Sequence, residues 1–230
     1  MSKIAKRVKI MNSSVDKTKV YTLTEAINLL IKTSTVKFDE TLDISANLGI
    51  DVKQSDQNVR LMIALPNGTG KKTRVAVFAK GAKADEAKAA KADLVGDDDL
   101  IEKIVAGELD FDRVIATPDM MASLGKVAKI LGPKGLMPNP KLGTVTMDVK
   151  GAVEKAHAGQ VEARADKEGI VHAGIGKLSF GAAKLIQNAK EFMTAVVKAK
   201  PASSKGIYLK KVSISSTMGP GLKIDLAEFK

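Results

Sequence analysis

Hydrophobic and polar positions change period several times along the chain, and each change marks an element. Ile4, Val8 and Met11 recur about once per helical turn with Lys3, Lys6, Arg7 and Lys9 between them, which predicts a short basic amphipathic helix. Thr22 and Glu25 stand at capping-box spacing and open a second helix through Ala26, Leu29, Leu30 and Ile31. From Thr41 the period drops to two. Leu42, Ile44, Ala46, Leu48 and Ile50 alternate with Thr41, Asp43, Ser45, Asn47 and Gly49, as a strand with one buried and one wet face requires. Val59, Leu61, Ile63 and Leu65 repeat the pattern, which predicts two strands of one sheet joined by residues 51–58.

Pro66-Asn67-Gly68-Thr69-Gly70-Lys71-Lys72 interrupts that rhythm and reads as a hinge. A phosphate-loop reading fails on spacing, because Leu65 stands where glycine is needed and Lys72 where Ser or Thr is needed. Beyond it, strands over 74–79, 93–95 and 113–117 alternate with helices over 83–91, 97–106 and 118–131. This predicts a three-layer α/β/α, Rossmann-like domain with a parallel sheet, but no G-x-G-x-x-G follows a strand and the fold alone licenses no enzyme. Gly132-Pro133-Lys134-Gly135-Leu136-Met137-Pro138-Asn139-Pro140 must be an exposed rigid loop. It is either a shaped connection or a contact made through Lys134 and Lys141. A strand over 144–148 and a helix over 149–158, capped by Gly159, lead back out.

Residues 160–165 and 170–175, joined by Asp166-Lys167-Glu168-Gly169, read as a hairpin whose partner strand is Lys177-Leu178-Ser179-Phe180. Ala182, Leu185, Ile186, Ala189, Met193, Val196 and Val197 then form the stripe of a long helix ended by Pro201. A strand over 207–217 and a short one through Leu222, Ile224 and Leu226 close the chain. The expected architecture is α/β in two domains. Residues 1–67 with 159–230 form a discontinuous α+β domain with an antiparallel-rich sheet, and residues 68–158 form the insertion.

Charge sharpens this division. The net charge is +11 from 37 Lys+Arg and 26 Asp+Glu, which points to a polyanionic partner. Residues 71–158 carry 15 Lys+Arg against 13 Asp+Glu, so the flanking segments hold +9 of the +11. With no cysteine and only His157 and His172, neither a thiolate metal site nor a redox carrier is expected, and no cofactor. No apolar run approaches the roughly 20 residues that span a bilayer, and the N-terminus lacks a signal-peptide core, so the expectation is a soluble, cytoplasmic protein.

One stretch combines basic and hydroxyl chemistry. Lys210-Lys211-Val212-Ser213-Ile214-Ser215-Ser216-Thr217 reads as a strand, and Met218-Gly219-Pro220-Gly221 must end it. It is either a surface turn or a loop that approaches a phosphate-sugar surface.

The chain resembles the bacterial-type ribosomal protein L1 (uL1) family along nearly its whole length. The resemblance rests on Lys37-Phe38-Asp39-Glu40-Thr41, Asn47-Leu48-Gly49-Ile50-Asp51, Ser55-Asp56-Gln57-Asn58-Val59-Arg60, the Leu131 to Pro140 run, Gly159-Gln160-Val161, His172 to Lys177 and Lys210 to Gly219. It implies a structural component of the large ribosomal subunit that binds 23S rRNA at the mobile L1 stalk near the tRNA exit site, assists release of deacylated tRNA and represses its own operon mRNA. It also implies RNA contacts at Phe38, Glu40, Thr41, Ser215, Thr217, Met218 and Gly219, with the hairpin and Lys177 adjoining. Lys37, Lys211 and Ser213 complete the expected RNA-binding set. Glu162-Ala163 departs from a basic and aromatic pair common in the family, which ranks the hairpin below the Thr217 loop.

Six Phe, two Tyr and no Trp are too few for a stacking platform, so recognition by shape, 2′-hydroxyls and phosphates is expected. The Ser215 and Thr217 hydroxyls are assigned to sugar or phosphate oxygens, Phe38 and Met218 to apolar contact, and Gly219 to close backbone approach. Glu40 reads as an acceptor for a 2′-OH or base amino group, as an orienting partner for Lys37, or as an exposed charge. On this assignment Thr217→Val weakens RNA binding without lowering thermal stability. A free translational regulator and a nucleotide-dependent enzyme are the competing classes, the second lacking any catalytic constellation.

Overall fold

The structure, a computed structural model, describes residues 6–229 apart from Lys17 and Glu108, and leaves out the side chains of Lys6, Arg7, Ile10, Asn12 and Ser55. Helices and strands intermix throughout, as in an α/β chain. The described part of the expected basic helix is α1 (Lys6–Ser14); Ile4 lies outside the described residues. The chain divides into two compact units: Met1–Gly70 with Val161–Lys230, and Lys71–Gln160. Residues 68–70, expected on the inserted side, belong to the first.

In the first unit, β1 (Val20–Tyr21), β2 (Thr41–Leu48), β8 (Ile170–Lys177), β9 (Leu209–Ser216) and β10 (Leu222–Ile224) form one sheet in the order β1-β10-β9-β2-β8. Every neighbouring pair is antiparallel except β1 with β10. Period-two alternation decides which face is buried. Leu42, Ile44, Ala46 and Leu48 of β2 join Val212 and Ile214 of β9 and Val171 and Ile175 of β8 in one core. Two helices cover that face: α2 (Leu23–Thr33) with Leu23, Ala26, Ile27 and Leu30, and α8 (Ala182–Lys198) with Leu185, Ala189, Phe192, Met193 and Val196. The Thr22 and Glu25 capping box is present, and the Glu228 carboxylate adds an acceptor for the Leu23 N–H at 3.2 Å. Among the described residues no helix covers the opposite face, whose positions on β2 and β9 are half-buried or exposed.

Several expected pairings do not form. β3 (Arg60–Ala64) is not in the sheet of β2, because both edges of β2 are already taken by β8 and β9. It pairs instead with β7 (Gln160–Arg164) in a two-stranded sheet, where the Arg60 guanidinium bridges Glu162 at 2.8 Å. The expected hairpin is therefore split between two sheets. Its turn survives, with Asp166 Oδ1 accepting the Glu168 and Ile170 N–H groups, but its arms part beyond the single Ala165–Val171 bridge. Residues 178–180 are a 3₁₀ turn and not a strand, because the Ser179 N–H and hydroxyl are both claimed by the Asp39 carboxylate. Leu226 likewise falls in a terminal 3₁₀ turn. In α8 the buried stripe includes Asn188 and Phe192, whereas Val197 faces outward.

The second unit holds a three-stranded parallel sheet of β4 (Val75–Phe78), β5 (Leu94–Gly96) and β6 (Arg113–Ala116) in the order β5-β4-β6. All four β4 residues are buried. Ala76 and Phe78 meet α4 (Asp98–Val105), α5 (Met121–Leu124) and α6 (Ala128–Leu131), and Val75 and Val77 meet α3 (Ala82–Ala89) and α7 (Val149–His157). Both faces of this sheet are thus covered. The helix expected over 118–131 is broken into short α and 3₁₀ pieces around Gly125, which is a poor interior helix former; Met120, Leu124, Val127 and Leu131 still share one buried stripe. The strand expected over 144–148 is reduced to one parallel bridge, Ala116 to Val145, because Thr146 and Asp148 turn the chain into the N-cap of α7. In the Gly132 to Pro140 loop, Leu136 and Met137 pack on the core and Asn139 caps the turn at Lys141, which makes it a shaped connection.

Candidate nucleic-acid interface

The uncovered sheet face displays the odd-numbered residues of β2 and β9. Register places Ser45 opposite Ser213 on one side and His172 on the other, and Asp43 opposite Ser215 and Gly174. Asn47 lies opposite Lys211, and Ser213 opposite Lys223. The result is a row-by-row array of hydroxyl, amide, imidazole and ammonium groups with the Asp43 carboxylate among them. Asp43, Ser45, His172, Gly174 and Ser215 line a shallow groove across it. His172 Nε2 lies 3.4 Å from Asp166 Oδ2. The Asp166 carboxyl is held below the ordinary aspartate range, first by the Ile170 N–H, while partial burial opposes the shift.

At one end of this face the loop before β2 meets the loop after β9. Thr217 N donates to Thr41 O at 3.1 Å, Thr41 N donates to Thr217 Oγ1 at 3.0 Å, and that hydroxyl lies 3.3 Å from Thr41 O. The Thr217 hydroxyl thus ties itself to the Thr41 backbone with its donor and one acceptor site, and being exposed it keeps a second lone pair toward solvent. Thr217→Val must cost stability as well as any affinity. For Glu40 two of the three readings fail. Its side chain is 2 % exposed, accepting from Met218 N at 2.8 Å and from Ser216 Oγ at 3.3 Å, so it is neither a surface charge nor the partner of Lys37. A buried carboxylate with two donors fixes the loop from below.

Gly219 makes its close approach inward. A Cβ there would collide with the Ser216 hydroxyl, the group that reaches Glu40. Lys177 is also engaged, its ammonium donating to Thr41 Oγ1 at 2.9 Å and Asp39 O at 3.2 Å. What this frame presents outward is apolar. Phe38 is 52 % exposed and Met218 43 % exposed, on the two loops that Glu40, Thr41 and Thr217 tie together. Lys37 is exposed beside Phe38.

The structure thus sorts the expected residues into two groups. Lys37, Phe38, Lys211, Ser213, Ser215 and Met218 lie on the open face or its loops, while Glu40, Thr41, Lys177, Thr217 and Gly219 form the frame behind them. Sequence reasoning missed Asp39, Ser179 and Ser216 in that frame, and Ser45, Asn47 and Lys223 on the face. The alternation from Thr41 to Asn47 already carried the signal for Ser45 and Asn47. Nothing local marked Asp39 or Ser179, which meet across 140 positions of sequence.

Charge follows the same division. The first unit carries 22 Lys+Arg against 13 Asp+Glu, and the second 15 against 13. Among the described residues no cluster of side chains fits a metal ion, and no helix is long and apolar enough to cross a membrane. Residues 30–220 match the family model described as Ribosomal protein L1p/L10e family, a span that takes in both loops of the frame and the whole second unit. With most of its length matched, the chain belongs to the Ribosomal protein L1p/L10e family, whose members are structural rRNA-binding proteins of the large ribosomal subunit.

Proposed function

We propose that this chain grips 23S rRNA at the mobile L1 stalk beside the tRNA exit site, using the open sheet face and the two loops at its end. There it assists release of deacylated tRNA, working on cytoplasmic ribosomes, and the same surface represses its own operon by binding a similar structure in the messenger. The resemblance of the loop sequences to bacterial-type L1 supports the stalk, tRNA and messenger roles. The observation that carries the RNA surface is the exposed pair Phe38 and Met218, raised on a hydrogen-bonded frame centred on the buried Glu40 at the mouth of an open polar face.

The chemistry of that surface suits folded RNA. Duplex RNA hides its bases in a deep major groove, so recognition falls to shape, 2′-hydroxyls, phosphates and splayed bases. Phe38 and Met218 meet a ribose or an unstacked base. The Ser213 and Ser215 hydroxyls both donate and accept, matching 2′-hydroxyls, and Lys37 and Lys211 neutralise phosphates. Glu40, Thr41, Lys177, Thr217 and Gly219 hold these groups in register.

Binding of the full chain to a large-subunit stalk RNA fragment tests the surface. Phe38→Ala is expected to weaken it about tenfold to a hundredfold with unchanged melting, since stacking on an aromatic contributes about 1–3 kcal/mol per base. Unchanged affinity overturns the site. Sedimentation of cell lysate tests the ribosomal role: the chain is expected with the large subunit, and recovery only off the ribosome contradicts it.

A further inference from the structure

Asn188 spends its whole side-chain hydrogen-bonding capacity inside the first unit, away from the RNA-facing residues in its bonding. It is fully buried in α8. Its Nδ2 donates to Ile175 O at 2.7 Å and to Gly68 O at 3.0 Å, and its Oδ1 accepts from Asn67 N at 3.1 Å and Asn67 Nδ2 at 3.3 Å. Two donors and two acceptor sites are all an amide has, and all are used. The partner at Ile175 is informative. Pairing of β8 with β2 jumps from Gly174–Asp43 to Gly176–Leu42, so Ile175 is the unpaired residue of a bulge whose carbonyl turns to Asn188.

Just past that bulge come the residues that hold the candidate RNA loop. Lys177 reaches Asp39 O and Thr41 Oγ1, Leu178 N donates to Glu40 O at 2.9 Å, and Ser179 binds the Asp39 carboxylate through N–H and hydroxyl. The other arm of Asn188 holds residues 67 and 68, the last stretch before the chain enters the second unit. This stretch returns to the same place. Gly70 lies so close to the Lys177 stem and the Phe180 ring that a Cβ would stand 2.9 Å from Lys177 Cγ and 3.0 Å from Phe180 Cζ, and its φ of +75 already favours glycine.

We propose that Asn188 and Gly70 are positioning residues for RNA binding: they seat the β8 bulge and the Lys177 stem, and Lys177 in turn seats the Phe38 to Thr41 loop. This rests on the proposed RNA surface. It adds that the chain's exit toward the second unit and the RNA loop are set by one hydrogen-bonded knot. By linkage, RNA held on the loop also steadies residues 67–70.

The test measures affinity of the full-length protein for a stalk RNA fragment in a double-mutant cycle. Asn188→Ala leaves the Ile175 and Gly68 carbonyls without their donor and is expected to weaken binding about tenfold. Gly70→Ala, which leaves Asn188 untouched, serves if Asn188→Ala does not fold, and a similar loss is expected. Each is combined with Lys177→Met. If the knot acts through Lys177, its loss adds little once Lys177 is gone, so the cycle is non-additive. Full additivity, or unchanged affinity in both folded variants, overturns the proposal. Phe38→Ala separates the two claims: if it weakens binding while no folded Asn188 or Gly70 variant does, the surface stands and the knot falls. If Phe38→Ala has no effect, the surface itself falls.

Discussion

The two units of the chain use their sheets in opposite ways. In the second, three parallel strands are buried between helix layers, and every residue of β4 is spent on packing. In the first, the sheet is largely antiparallel and α2 and α8 cover one face, so alternate residues of β2 and β9 point to the other, Ser45, Asn47, Lys211, Ser213 and Ser215 among them. Charge sits on the same side of the division, with +9 on the first unit and +2 on the second. Exposed apolar side chains alone do not separate them. Val105 and Met147 of the second unit are 64 % and 55 % exposed, more than Phe38 and Met218. The difference is the frame. Phe38 and Met218 stand on loops tied together through the buried Glu40 carboxylate and the Thr41 and Thr217 bonds beside a polar face, so their order is already established before RNA arrives, which lowers the ordering cost of binding.

Breaking that frame gives the largest expected effect. Glu40→Ala leaves Met218 N–H and the buried Ser216 hydroxyl without their acceptor, which should cost about 2–4 kcal/mol in denaturant unfolding of the first unit and weaken stalk RNA binding with it. If Glu40→Ala unfolds like the parent, the buried carboxylate is not what holds the loop. Thr217→Val comes next. It removes both hydroxyl bonds to the exposed Thr41 backbone, with a loss of about 1 kcal/mol and a melting point lower by a few degrees, read by calorimetry.

The charge contrast yields a smaller and more selective effect. Lys211→Gln should leave melting unchanged and lower the log-log salt dependence of RNA binding by about 0.7 to 0.9, one phosphate's worth. Lys126→Gln in the second unit should leave that slope alone, and equal slopes for the two variants would erase the distinction. The smallest effect lies in acid. Asp166 has its folded-state pKa depressed by the Ile170 N–H, so its contribution is complete above the ordinary aspartate range and is lost as pH falls through the lowered value. Asp166→Asn is expected to lower melting slightly at neutral pH and to flatten that acid limb, the difference from the parent shrinking as pH falls.

Sequence periodicity read the larger elements well where one local rule decided them. The Thr22 to Glu25 capping box, the alternation from Thr41 to Leu48 and the stripe of α8 all follow from spacing within one element. Pairing between elements was less legible. Nothing in the alternation of β3 says that both edges of β2 are occupied, and nothing in residues 160–165 says that Arg60 will draw β7 away from its hairpin. The candidate site shows the same limit. Its outward residues follow from strand phase, but Glu40 and Thr217 look like surface groups in their own segments. Only the meeting of loops 176 positions apart buries Glu40 and bonds Thr217 to the opposite strand.

The most direct test compares paired apolar truncations on the two units under one salt concentration. Full-length Phe38→Ala/Met218→Ala and Val105→Ala/Met147→Ala are titrated with the same stalk RNA fragment, alongside the parent chain. A loss of at least about tenfold in the first pair, with parent-like affinity in the second, is the expected result. Parent-like affinity in the first pair, or equal losses in both, would contradict an RNA surface raised on the open face of the first unit.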